Sequence, residues 1–118
     1  MTVQRQVGSQ TDCQESATDL RGKENRFAKR VAGPKFAVAG AGEKVAGIIS
    51  EGKNVGLHTS INTGNQLRVV AGAALAVGDV VQSDAEGRAI VGTTNPAGTV
   101  IFPASAAGVL AEIELDRV

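Results

Sequence analysis

Short apolar runs separated by glycine-containing turns dominate the sequence from residue 31 onward. The runs are about 4–8 residues long, rich in valine and isoleucine, and recur roughly every 8–12 residues, as in all-β barrels and sandwiches. The final run alternates strictly between apolar and acidic residues, which indicates a half-buried strand. Strands are predicted within 36–38, 44–49, 55–61, 66–71, 79–82, 88–91, 100–102 and 109–115.

Glycine positions punctuate these runs. Gly87 closes the segment Asp84–Gly87, where a tight turn favours a positive φ. Two alanine-rich segments, 71–78 and 104–108, contain helix-forming residues but are bounded by glycine, so each is expected to be a loop or a single turn. Gly108 suits the left-handed position that ends such a turn. The pattern therefore predicts an all-β domain, a small β-barrel or β-sandwich (β-tulip-like) with at most one or two short helical turns.

The first 30 residues have a different character. They contain few large apolar side chains and many Gln, Ser, Thr and Asp residues. Six basic residues stand against four acidic ones there, whereas residues 31–118 carry six basic and eight acidic residues. Burial of so little apolar area does not offset the conformational entropy that this segment would lose on folding by itself. We expect residues 1–30 to form an extended N-terminal arm that orders on a partner, or a plain disordered tail, and residues 31–118 to form the β-rich domain.

Composition narrows the classes of function. The 118 residues fit one domain, with a net charge of zero and only 3% aromatic residues. Neutral charge argues against binding to nucleic acid, and the lack of aromatic rings argues against base- or sugar-stacking sites. The sequence begins without a secretory signal pattern, and its longest near-apolar run, 69–77, is too short to span a bilayer. We therefore expect a soluble protein made in a reducing cytoplasm, with no membrane partner.

Catalytic and metal-binding signals are weak. The single histidine, His58, has Ser60, Asp79 and Asp84 as conceivable partners, but no motif orients them. The single cysteine, Cys13, lies in a polar stretch and makes neither a disulfide nor a zinc site with one distant histidine. We expect no enzyme activity, no cofactor and no metal.

Two further groups of residues have structural explanations. Gly40–Gly42 and Gly52–Lys53 lack the spacing of a phosphate-binding loop and are expected to be turns. Glu112, Glu114 and Asp116 share one face of the last strand, where they are either solvated or paired with a basic residue across a strand or a subunit.

The segment 70–89, with Gly78-Asp79-Val80-Val81 followed by Ser83-Asp84-Ala85-Glu86-Gly87-Arg88-Ala89, resembles the capsid cement (head decoration) proteins of tailed bacteriophages. The later segment 105–108 and the terminal strand 109–115 resemble the same family. The resemblance covers residues 32–118. Pro103 departs from the family pattern, and we expect it to end the preceding strand.

This resemblance implies a structural protein on the outer surface of the mature phage head, assembled in the bacterial cytoplasm. Such proteins often bind as trimers, bridge neighbouring major capsid subunits and resist the pressure of packaged DNA. In this chain the arm would supply the capsid contact, with basic side chains facing acidic patches and an aromatic side chain in an apolar pocket. The candidate contact residues are Arg21, Lys23, Arg26, Phe27, Lys29 and Arg30.

Two rival functions remain open from the sequence. A small β-barrel carrier or adaptor of the lipoyl or biotinyl type requires a modifiable lysine at a hairpin tip, and Lys53 is the candidate. A small enzyme would assemble its active site between subunits from His58 and aspartates of a neighbouring copy.

Overall fold

The computed structural model describes residues 11–33, 35–64 and 66–115, and ten β-strands lie within these ranges. No helix occurs among the described residues. The strands are β1 (Thr11–Glu15), β2 (Phe27–Val31), β3 (Lys35–Val38), β4 (Gly47–Glu51), β5 (His58–Asn62), β6 (Gln66–Val70), β7 (Val80–Ser83), β8 (Ala89–Val91), β9 (Gly98–Phe102) and β10 (Leu110–Leu115).

The strands form two five-stranded antiparallel sheets, in the orders β1-β5-β4-β2-β3 and β6-β10-β9-β7-β8. The prediction of an all-β domain of short strands is confirmed. Every predicted run contains or overlaps a strand, and β9 ends at Phe102, directly before Pro103. Gly87 and Gly108 both adopt positive φ angles, of 75° and 87°. The segments 71–78 and 104–108 form turns and isolated bridges.

The two sheets are copies of one topology. Counting from its own first strand, each sheet has the order first-fifth-fourth-second-third. Each also curls, so that the residue after its first strand makes a parallel bridge to its third: Ser16 to Phe36, and Ala71 to Ala89. A single bridge leaves each sheet incompletely closed. We call β1–β5 the first unit and β6–β10 the second unit.

The repeat extends to the loops. Backbone hydrogen bonds recur at matching positions, and Asn25 and Gly78, each two residues before the second strand of its unit, both have positive φ. The matching N–H···O pairs include Leu20–Lys53 and Leu75–Ala104, Asn25–Ile49 and Gly78–Val100, and Gly56–Ser16 and Gly108–Ala71. Identical residues occupy matching positions at Leu20 and Leu75, Ala46 and Ala97, Gly47 and Gly98, Gly56 and Gly108, and Ile61 and Ile113.

Gly47 and Gly98 show why one residue type is retained in both units. Each begins the fourth strand of its unit, against the backbone of the fifth. A Cβ atom at Gly98 would lie 2.2 Å from the carbonyl oxygen of Glu114, and one at Gly47 would lie 2.6 Å from that of Asn62. Only glycine therefore permits this close approach of strands.

The hydrophobic core joins the two units. The larger cluster of buried side chains contains most of the interior of the second unit, together with Phe27, Ala39 and Ile48 from the first. Phe27 and Ile48 are cross-strand partners on β2 and β4, so they enter that cluster side by side. A smaller cluster fills the first unit. The first unit therefore packs against the second through shared core side chains.

The expectation that residues 1–30 form an extended arm is wrong for residues 11–30. β1 pairs with β5 along its whole length, and β2 pairs with both β3 and β4. Leu20 and Phe27 are completely buried. These few large apolar residues are enough to order the segment, because each packs into a core that the rest of the chain forms. Residues 1–10, the remainder of the expected arm, lie outside the described residues.

Candidate interaction surfaces

Three of the six expected contact residues lie on the loop from β1 to β2. Arg21 forms a bidentate ion pair with Asp19, with distances of 2.9 Å from Nε to Oδ1 and 2.8 Å from Nη2 to Oδ2. These hydrogen bonds lower the pKa of Asp19 to about 2 and raise that of Arg21. Arg26 donates from Nη1 to the carbonyl oxygen of Glu86 at 2.9 Å, which links the two units. Lys23 is partly exposed and forms no ion pair with a described residue.

Lys29 and Arg30 are neighbours on β2, so their side chains point to opposite faces of the sheet. Lys29 Nζ lies 2.8 Å from Glu43 Oε1, and this hydrogen bond, with one from the amide of Gly40, lowers the pKa of Glu43. Arg30 pairs with Asp12, and its guanidinium lies 4.9 Å from the ring centroid of Phe36. Both cations are therefore already partnered within the first unit.

Phe27 is not a surface anchor. Its side chain has no exposed area and belongs to the core cluster shared by the two units. The expectation that it inserts into a pocket on a partner is wrong, because the second unit itself provides that pocket. The six residues therefore do not form one patch. Arg21, which is exposed, and Lys23 and Arg26, which are partly exposed, are the members of the set that share one loop.

The residues considered for catalysis are separated. His58 is exposed at the start of β5, opposite Glu15, while Ser60 Oγ lies 3.2 Å from Cys13 Sγ. Asp79 and Asp84 belong to the second unit, where Asp79 accepts a hydrogen bond from Ala76 N and Asp84 pairs with Arg88 at 2.9 Å. Within the chain, these groups do not converge on one site. No cluster of metal-ligating side chains occurs among the described residues.

Lys53 lies on the loop that joins β4 and β5. Its backbone is fixed from both sides, because its N–H donates to Thr59 Oγ1 and its carbonyl accepts from Leu20 N. Its ammonium group lies 3.6 Å from Glu51. The candidate lysine for a carrier module thus lies at a backbone position that is hydrogen-bonded on both sides.

An apolar groove on the outer face of the second sheet was missed by the sequence reasoning. It has a volume of about 260 Å³ and is lined by Arg68, Phe102, Leu110, Ala111 and Glu112. Phe102 is 64% exposed and Leu110 is 40% exposed. The sequence did contain a signal for Leu110, because the alternation of β10 places this apolar residue on the same face as Glu112 and Glu114. The neighbouring Phe102 was not identifiable, since only the pairing of β9 with β10 sets it opposite Glu112.

The first unit serves as an internal comparison for this groove. The same strands, registers and β-bulge occur there, but the matching side chains are polar. Where the second unit has Arg68, Phe102, Leu110 and Glu112, the first has Cys13, Glu51, His58 and Ser60. The fold therefore does not require exposed apolar residues at these positions.

Comparisons with known proteins support the fold. No protein-family model matches the chain, and the search of curated proteins found no relative. Among solved structures, the chain is similar to the head fiber gp8.5 N base of bacteriophage phi29, with a TM-score of 0.76 and 16% sequence identity. The match covers 92% of this chain and 94% of that chain, so both units take part in it. At this identity the likeness establishes a shared fold.

Proposed function

We propose that the protein is a capsid cement or decoration protein, which binds the outer surface of a mature phage head and bridges neighbouring major capsid subunits. The observation that carries the proposal is the match, over nearly the whole of both chains, to a structure described as the base of a phage head fiber. The sequence resemblance to phage head decoration proteins points to the same location independently. The role is structural and needs neither catalysis nor a cofactor.

The proposed contact with the capsid is the loop between β1 and β2 of the first unit, which carries Arg21, Lys23 and Arg26. The Arg21 side chain is 65% exposed and pairs with Asp19. Lys23 and Arg26 are partly exposed on the same loop and form no salt bridge with a described residue. Such side chains suit an acidic patch on a major capsid protein, because complementary charge increases the rate of encounter and sets orientation.

Stabilisation of the head would follow from mass action. A protein that binds only the mature lattice stabilises it by about 2.7 kcal/mol per site when its free concentration is about 100 times Kd. Binding as a trimer, as the resemblance implies, would connect three contacts and strengthen attachment through a high effective concentration.

Co-sedimentation with empty heads tests this proposal. The purified protein should pellet with expanded shells of the corresponding phage and remain in the supernatant with immature shells. Failure to bind expanded shells would contradict the proposed function, and equal binding to both would contradict stabilisation of the mature state.

Charge variants test the surface. Arg21→Glu combined with Lys23→Glu should weaken binding to expanded shells at least about tenfold, through repulsion from acidic patches. Lys44→Glu is the matched control, since Lys44 is exposed in the first unit but lies on another loop. Equal losses in both would indicate a general charge effect rather than this contact.

A further inference from the structure

We infer that the apolar groove of the second unit is an interface between copies of this chain. The inference rests on one part of the proposed function, the association of copies of this chain, and locates the surface involved. It does not depend on the proposed contact with the capsid. Its starting point is the comparison between units. The same strand order and registers carry polar side chains in the first unit and Phe102 and Leu110 in the second, so the exposed apolar area is a property of the sequence and not of the fold.

The groove also has the composition of an interface centre. Aromatic and arginine side chains are enriched at the positions that contribute most to protein association. A stable interface covers about 800 Å² on each partner, so the interface extends beyond the groove residues themselves.

Charge identifies a second copy as the occupant. Arg68 and Glu112 are directly opposite on β6 and β10, yet no salt bridge joins them to each other or to another described residue. The groove therefore offers one cation and one anion beside an apolar centre. A surface with those same features complements it, since Arg68 of one copy can pair with Glu112 of the next around a symmetry axis near Phe102. The zero net charge of the chain opposes such association very little.

Sedimentation equilibrium of the purified full chain, without capsids, tests the inference. The wild-type protein should be oligomeric, and Phe102→Asp should reduce it to a monomer while leaving the urea midpoint of the diluted, monomeric protein unchanged. Leu57→Asp is the matched control, because Leu57 is 56% exposed in the first unit and lies outside the groove. A monomeric wild type, or an oligomer that persists in Phe102→Asp, would overturn the inference.

Charge reversal tests the pairing itself. Arg68→Glu should weaken association at least about tenfold because it places two carboxylates together across the interface, and Arg68→Glu with Glu112→Arg should restore it. A double variant as weak as the single variant would overturn the proposed pairing. Co-sedimentation with heads is measured separately. Binding by a wild type that is monomeric in solution would contradict this inference and leave the proposed function standing.

Discussion

Replacing Phe27 with alanine tests whether the residues around it belong to a folded first unit or to an extended arm. Phe27 has no exposed area and lies in the core cluster shared by both units. Truncation of a buried phenylalanine to alanine costs about 3–5 kcal/mol, through lost burial and the cavity left behind. Total stabilities of domains are about 5–15 kcal/mol, so Phe27→Ala should remove a large fraction.

Urea denaturation measures this loss. With a slope of about 2 kcal/mol per molar urea, the midpoint should fall by roughly 2 M. Leu57→Ala is the control, because Leu57 is 56% exposed and its removal should change stability by no more than about 0.5 kcal/mol. A loss below about 1 kcal/mol for Phe27→Ala would refute the shared core. So would separate unfolding transitions for the two units, since a common core should make them unfold together.

Three further predictions concern the repeat and its ion pairs. Leu20→Ala and Leu75→Ala should each lower the free energy of unfolding by about 2–5 kcal/mol, because both side chains are almost fully buried at matching positions; urea titration should show losses of similar size. Gly98→Ala should lower the thermal midpoint, because its Cβ would overlap the carbonyl oxygen of Glu114; an unchanged midpoint would show that the strands can separate without cost. Glu43 has a lowered pKa in the folded protein, so its charged form stabilises the fold above its unfolded pKa, and that contribution is lost as pH falls through the folded value. Glu43→Gln should therefore be less stable than wild type near neutral pH and equal to it in strong acid, as measured by denaturation across pH; a pH-independent difference would contradict this.

The strands could be predicted from the sequence because alternation and glycine placement are local signals. The terminal run became β10, and Pro103 ends β9 as expected. The first unit was harder to recognise, since β1 has the polar sequence Thr-Asp-Cys-Gln-Glu. Its pairing with β5 depends on a strand more than 40 residues away, which no local pattern records.

The repeat was hidden for a related reason. Few identities survive between the units, and their spacing varies with loop length: Gly47 and Gly98 are 51 residues apart, whereas Leu20 and Leu75 are 55 apart. A fixed period is therefore absent from the sequence. Backbone hydrogen bonds preserve the topology, because they do not depend on side-chain identity.

By itself, the sequence determined the β class, the positions of most strands and the glycine turns, because these follow from side-chain alternation and backbone freedom at neighbouring residues. Tertiary structure decided which residues serve the core and which lie exposed on the surface. It moved Phe27 from an expected contact surface into the shared core, and brought Arg68, Phe102, Leu110 and Glu112 together from three strands. The physical reason is that burial and surface patches depend on strand pairing across the chain, whereas the sequence pattern reports only which residues alternate along one strand.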